Sequence, residues 1–110
     1  MDLPVRTINE NGSIVYLLNG VRHREDGPAV ETELGSYHWY INGVKHRIGG
    51  PASYFYSGSE WWYQYGKLHR EDGPAIEYAN RTKIWYLNGK IIRCKSNEEF
   101  LKLKKLKAFW

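Results

Sequence analysis

The sequence predicts a mainly β protein, an elongated single-layer antiparallel meander of stacked β-hairpin repeats with a C-terminal capping α-helix. Three observations carry that expectation. A set of residue types recurs every 23 positions. Within each period, aromatic and β-branched stretches alternate with Asn-Gly and Asp-Gly-Pro turn signals. The last residues break the pattern with Ser96-x-x-Glu99 ahead of an amphipathic, lysine-rich segment. At 110 residues, 42% hydrophobic and 15% aromatic, the chain suits one small domain whose core is rich in Trp and Tyr.

The period is read directly. Gly20, Gly43, Gly66 and Gly89 keep it, as do His23, His46 and His69, and Arg24, Arg47, Arg70 and Arg93. So do Gly27, Gly50 and Gly73, then Pro28, Pro51 and Pro74, then Ala29, Ala52 and Ala75. Trp39, Trp62 and Trp85 share a slot with Tyr16, and each Trp is followed by Tyr40, Tyr63 or Tyr86. Gly12, Gly35 and Gly58 mark a second turn, replaced by Asn80-Arg81 in the last unit. Two departures stand out: Ile48-Gly49 replaces the Glu-Asp of units one and three, and Tyr65-Gly66 breaks the Asn-Gly series.

Each unit reads as a hairpin with a decorated loop. Ser36-Tyr37-His38-Trp39-Tyr40-Ile41 has strand composition and stops at Asn42-Gly43, a pair suited to a type I′ turn because both positions need positive φ. Two strands per unit over about four units predict roughly eight strands, and at ~4.8 Å per strand a sheet on the order of 40 Å long. Residues 94–110 form the second segment, with a short helix expected from about 97 to 109, acidic in its first turn and carrying an apolar stripe of Phe100, Leu103, Leu106 and Trp110. Repeat arrays need a terminal cap, so this helix is expected to lie over the end of the sheet.

The formal charge of +4 belongs wholly to residues 93–110; residues 1–92 hold 10 basic and 10 acidic side chains. No apolar run is long enough to span a membrane, and Met1-Asp2-Leu3-Pro4 lacks the basic start of a signal peptide. With a single Cys94, the expectation is a cytoplasmic chain.

The period and the motifs Trp-Tyr-Leu-Asn-Gly-Lys and His-Arg-Glu-Asp-Gly-Pro-Ala resemble a variant of the MORN (membrane occupation and recognition nexus) repeat, over residues 5 to about 93. The form is similar to that found in small proteins of bacteriophages and large DNA viruses. The resemblance implies an elongated sheet of hairpins serving as a binding surface, with no catalytic residues.

The residue chemistry agrees. Successive repeats lie roughly 10 Å apart, whereas zinc holds its ligands within about 2.1 Å, so His23, His46 and His69 cannot share one metal. Each imidazole is expected to fill the same niche and bond the neighbouring loop backbone, while His38, outside the period, is expected on an exposed strand position. A His-Arg-Glu-Asp set copied between units is poor evidence for an active site, which needs different groups in different roles. Asp26 and Asp72 are expected to fold over the Gly-Pro turn, and Arg24, Arg47 and Arg70 to pair with carboxylates across units. No enzyme activity, cofactor or metal is expected.

Residues two apart share a sheet face, so the slot of Trp39, Trp62 and Trp85 should form a core ladder, ring on ring. Tyr40, Tyr63 and Tyr86 fall on the other face. Tyr54-Phe55-Tyr56 and Trp61-Trp62-Tyr63-Gln64-Tyr65 crowd further aromatics into 12 residues. The candidate partner site is therefore Tyr40, Tyr54, Phe55, Tyr56, Trp61, Tyr63, Tyr65 and Tyr86. Lys102, Lys104, Lys105 and Lys107 form a candidate basic patch.

The leading expectation is a non-catalytic protein-binding module, a phage or viral protein that binds and inhibits or redirects a host defence or regulatory protein in the host cytoplasm. The viral part rests on the resemblance. The alternative is nucleic-acid binding through the basic helix and exposed aromatics, and the third is anionic lipid at that helix, with a membrane the least expected partner. An open edge near Val5 to Glu10 would let two copies pair as a homodimer.

Overall fold

A computed structural model describes residues 2–106, which form 14 short strands and one helix. In chain order the strands are β1 (Val5–Ile8), β2 (Ile14–Leu18), β3 (Val21–Arg22), β4 (Val30–Glu31), β5 (Tyr37–His38), β6 (Tyr40–Ile41) and β7 (Val44–Lys45). They continue as β8 (Ser53–Tyr54), β9 (Glu60–Trp61), β10 (Tyr63–Gln64), β11 (Lys67–Leu68), β12 (Ile76–Glu77), β13 (Lys83–Leu87) and β14 (Lys90–Ile92), before helix α1 (Asn97–Leu106). All pairings are antiparallel, and the main sheet runs β1-β2-β4-β5-β8-β9-β12-β13-β14 with β3 paired to β2. The molecule measures 45 × 33 × 17 Å, elongated and thin as the meander predicts.

There are more strands than the expected eight because a further short strand follows each turn at Gly20, Gly43, Gly66 and Gly89 (β3, β7, β11 and β14), and because the long strand of each central unit is split at its tryptophan. The Trp39 amide donates to the Ala52 carbonyl in the main sheet, and its own carbonyl accepts from His46 within the Asn-Gly hairpin. Trp62 does the same between Ala75 and His69. The residue thus joins two rows: the main sheet, built from hairpins that close at the second turn, and a parallel line of Asn-Gly hairpins. Those turns have the expected backbone, with φ near 50° at Asn19, Asn42 and Asn88 followed by glycine near 80°. Tyr65 adopts 51° as well, a left-handed conformation that asparagine tolerates better than a bulky ring.

The units are stitched by three recurring bonds. The Arg24 amide donates to Tyr40 O, and the Gly43 amide to Arg22 O, at 3.1 and 2.8 Å. The Asn42 amide donates to His23 Nδ1 at 2.9 Å, and the equivalent donors Tyr65 and Asn88 reach His46 and His69 at 3.0 and 2.9 Å. Each imidazole is therefore an acceptor on Nδ1 and carries its proton on Nε2.

The arginines make a second recurring device. Arg24, Arg47 and Arg70 lie over the rings of Tyr16, Trp39 and Trp62 at 4.0, 4.1 and 3.8 Å, and each donates to the carbonyl of Pro28, Pro51 or Pro74. A Cβ at Gly27, Gly50 or Gly73 would come within 2.7–2.8 Å of the guanidinium, which is why glycine recurs there. The pairings are made close along the chain: Arg24 bonds Asp26 at 3.1 Å and Glu31 of β4 at 3.4 Å, and Arg70 bonds Asp72 at 2.9 Å, so these aspartates hold the arginine rather than the Gly-Pro turn. Gly49 stands where that aspartate would be, and Arg47 has no carboxylate partner among the described residues.

The expected ladder of tryptophan on tryptophan does not form. Cation–π contact with arginine occupies the ring faces instead, and the helix supplies the last one. Phe100, fully buried, packs on Trp85, Leu87 and Ile92, with its ring 6.5 Å from Trp85. Trp85 Nε1 donates to Asn97 Oδ1 at 3.1 Å, and Lys104 donates to Glu71 O at 2.7 Å. Ser96 caps the helix by accepting from the Glu99 amide, while Glu99 reaches back to the amide of Lys95, one residue before the cap. The packed side of α1 is therefore Asn97, Phe100, Leu103 and Lys104; Leu106 is 70% exposed, because the tryptophan groove draws the helix in on Phe100 rather than along the expected stripe. Lys107 and Trp110 lie outside the described residues.

Phe100→Ala should cost about 3–5 kcal/mol by opening a cavity against Trp85. His69→Ala should cost about 1–3 kcal/mol by leaving the Asn88 amide without its acceptor. Urea unfolding followed by tryptophan fluorescence checks both.

Candidate binding surface

The strand registers sort the side chains onto two faces. Val15, Val30, His38, Ser53, Trp61, Ile76 and Ile84 are direct partners across the sheet and share one face. Two residues further along the strands, Leu17, Tyr40, Tyr63 and Tyr86 continue it, paired with Arg22, Lys45, Leu68 and Ile91. None of these positions holds Asp or Glu. The opposite face carries Tyr37, Tyr54, Glu31, Glu60 and Glu77 in one row and the tryptophans in the next, and α1 covers its C-terminal end. The tyrosine face is thus aromatic and, at these positions, carries Arg22 and Lys45 without carboxylates; the tryptophan face holds the acids together with Arg24, Arg47, Arg70 and Lys83, and the helix.

Electrostatics on the tyrosine face follow from that separation. Arg22 lies 5.4 Å from the Tyr40 ring centre and Lys45 5.1 Å from that of Tyr63. Burial pushes the Lys45 amine down, helped by Arg22, and pushes the Tyr63 phenol up, helped by Tyr40 and Tyr86. His38 is the most perturbed: burial, then Lys45 and Arg22, lower it to about 4. The expected exposed position is corrected, since His38 is half-buried, bonds the buried Ser53 hydroxyl at 2.8 Å and meets the Phe55 ring edge at 5.3 Å. A neutral imidazole beside two cations marks a surface whose positive charge has no carboxylate partner among the described residues.

The candidate aromatics divide. Tyr40, Tyr63, Tyr86 and Trp61 lie together, and Phe55 joins them by packing on Trp61 at 6.0 Å, with Tyr78 on the far side of Trp61 at 6.1 Å. Tyr54 is on the opposite face, stacked on Tyr37 at 5.1 Å. Tyr56 is exposed at a second turn, and Tyr65, 77% exposed, covers His46 at 4.4 Å from the hairpin turn. Sequence reasoning missed His38, Tyr78, Arg22 and Lys45; the last two occupy one slot of the 23-residue period, a signal that was there to be read.

The basic patch is partly structural. Lys104 turns inward onto Glu71, Lys102 pairs with Glu98 along the helix at 3.7 Å, and Lys105 is exposed. His69 and then Lys104 hold the Glu71 carboxyl below its ordinary range. Among the described residues no three His, Cys, Asp or Glu side chains lie close enough to hold a metal ion, and no helix is long and apolar enough to cross a membrane.

Comparison with known proteins finds no matching family model, curated protein or solved structure.

Because His38 titrates near 4 when folded and near 6.5 when unfolded, the unfolded state takes up its proton first on acidification. Its contribution to stability is complete above pH ~6.5 and is lost as pH falls toward ~4. His38→Val, which installs the Val15 counterpart, should flatten that part of the Tm-versus-pH curve, and NMR titration of His38 should give a midpoint near 4.

Proposed function

We propose that this chain is a non-catalytic protein-binding module, a phage or viral protein of the MORN-like kind that binds a host defence or regulatory protein through its tyrosine face and inhibits or redirects it. The observation that carries the reading is the face itself. Tyr40, Trp61, Tyr63 and Tyr86 form an aromatic row with no second layer of described residues over it, flanked by Arg22 and Lys45 and with no carboxylate at its paired positions. Tyr, Trp and Arg are the side chains that dominate binding energy at protein interfaces, and the uncompensated cations favour an acidic partner surface. The viral and host parts rest on the sequence resemblance alone.

A second reading, single-stranded nucleic acid, is favoured by the same pairing of rings with cations. The cations are then Arg22 and Lys45 rather than the helix lysines, two of which are engaged within the chain.

Cross-linking from a photoreactive group placed at Lys45 in host lysate tests the first reading; the expected product is a single protein adduct. Tyr63→Ala combined with Lys45→Glu should weaken that complex at least about tenfold while leaving the unfolding midpoint close to wild type. A complex untouched by the double variant would exclude the tyrosine face. Binding to single-stranded oligonucleotide that falls steeply between 50 and 200 mM salt, roughly in proportion to the phosphates contacted, would transfer the face to the second reading.

A further inference from the structure

The two ends of the array are finished differently. At the C-terminal end α1 packs over the last hairpin, with Phe100 buried against Trp85, Leu87 and Ile92. At the other end β1 is paired on one side only, to β2, and no described strand lies along its outer edge. The bonds of β2 show which groups that edge presents. Tyr16 donates its amide to Ala29 O at 2.7 Å and accepts from the His23 amide at 3.1 Å, both on the side of β2 away from β1. Residues opposed across an antiparallel seam either exchange both bonds or turn both groups outward. Arg6, opposite Tyr16, and Ile8, two residues along, therefore carry their N–H and C=O at the open edge.

The side chains along this edge are open as well. Leu3, Val5 and Ile8 are 80%, 65% and 61% exposed. Arg6 and Glu10 are exposed, and neither makes an ion pair with any described residue. An edge with free backbone groups is a template for another strand, and folded proteins commonly blunt it with lysine, proline or a bulge inside the strand. Val5–Ile8 contains none of the three, and its register with β2 runs without a break. Its single charge, Arg6, selects the pairing register instead.

We infer that β1 is the seam of a symmetric homodimer, in which β1 of a second copy lies antiparallel along it and extends the sheet. With Thr7 on the two-fold axis, Arg6 of each chain faces Ile8 of the other, and every free N–H of Arg6 and Ile8 meets a free C=O. The registers on either side are worse. One sets Arg6 directly opposite Arg6, and the other moves it past the end of the facing strand. The Thr7 register also brings each Arg6 within diagonal reach of Glu10 of the other chain, about 7–8 Å between backbone positions. Two ion pairs then form from residues that make none within the chain, while the Arg6 stem covers the exposed Ile8. That charge match argues for a second copy as the occupant, because symmetry supplies the acid for each arginine. An isologous seam closes at two chains, and an axis perpendicular to the sheet sets both tyrosine faces on the same side. The seam itself is independent of what the tyrosine face binds.

Sedimentation velocity of the full chain alone, from about 5 µM to about 1 mM, should show a monomer–dimer equilibrium with a Kd on the order of 10–100 µM, because a seam of two short strands is smaller than a permanent interface. Arg6→Glu or Glu10→Arg should weaken it about three- to tenfold, since each reversal acts twice across the axis, and the two together should restore it. Ile8→Pro removes an outward N–H from an edge that tolerates proline, so it should abolish association and leave the circular dichroism spectrum unchanged. In a Cys94→Ser background, Thr7→Cys should cross-link the dimer under mild oxidation, whereas Val5→Cys, which faces Asn9 of the second copy, should not. A chain that stays monomeric throughout the range, or association indifferent to the charge reversals, would overturn the proposal. So would cross-linking through Val5→Cys and not Thr7→Cys, or growth beyond a dimer. With no other protein present, none of these outcomes bears on the binding role of the tyrosine face.

Discussion

Each Asn-Gly turn leaves a backbone amide facing the preceding unit, and everything else in the array depends on that amide finding an acceptor. The left-handed residue at the turn cannot pair its N–H within its own hairpin, and an orphaned amide at a unit boundary costs as much as a lost hydrogen bond. His23, His46 and His69 supply Nδ1, one repeat behind. Because the acceptor is a side chain of the neighbour, a unit completes its own hydrogen bonding only when stacked. The array is held together by donors that a single hairpin would leave unsatisfied.

The arginine clamp serves a protein with little apolar volume to bury. In a thin sheet a tryptophan ring has one side against backbone and the other toward water. Arg24, Arg47 and Arg70 close that outer side with a planar cation, while their heads bond the proline carbonyl of the same loop. At the last unit the arrangement changes from clamp to core: Phe100 replaces the guanidinium, and Trp85, Leu87 and Ile92 become the buried cluster of the molecule. The helix thus does for the terminal unit what a fifth repeat would do, and Asn97 and Lys104 tie it to the loop of unit three.

Much of this was legible in the residues. The period, the turn chemistry and the cap at Ser96 follow from local rules that act over a few positions, and the hairpins, their positive-φ residues and the helix start are where those rules place them. The pairings of long side chains were not legible. Arg24 was within reach of carboxylates in several directions, and it bonds Asp26 and Glu31 because stacking over Tyr16 already fixes its guanidinium above Gly27. His38 read as an exposed strand residue because its burial comes from Ser53 and Phe55 on the next strands, 15 and 17 positions away. The aromatic cluster from Tyr54 to Tyr65 read as one site, yet strand alternation sends Tyr54 to one face and Trp61 to the other while Tyr65 sits at a turn.

By itself the sequence determined the repeat, the hairpin, the β class and the terminal helix, because each is encoded in spacing and in residues with strong local backbone preferences. Only the tertiary structure decided which face the helix covers, which aromatics lie together, and that the tyrosine face holds cations without carboxylates. Those are consequences of register and of packing between units, and a shift of one residue in register would exchange the two faces.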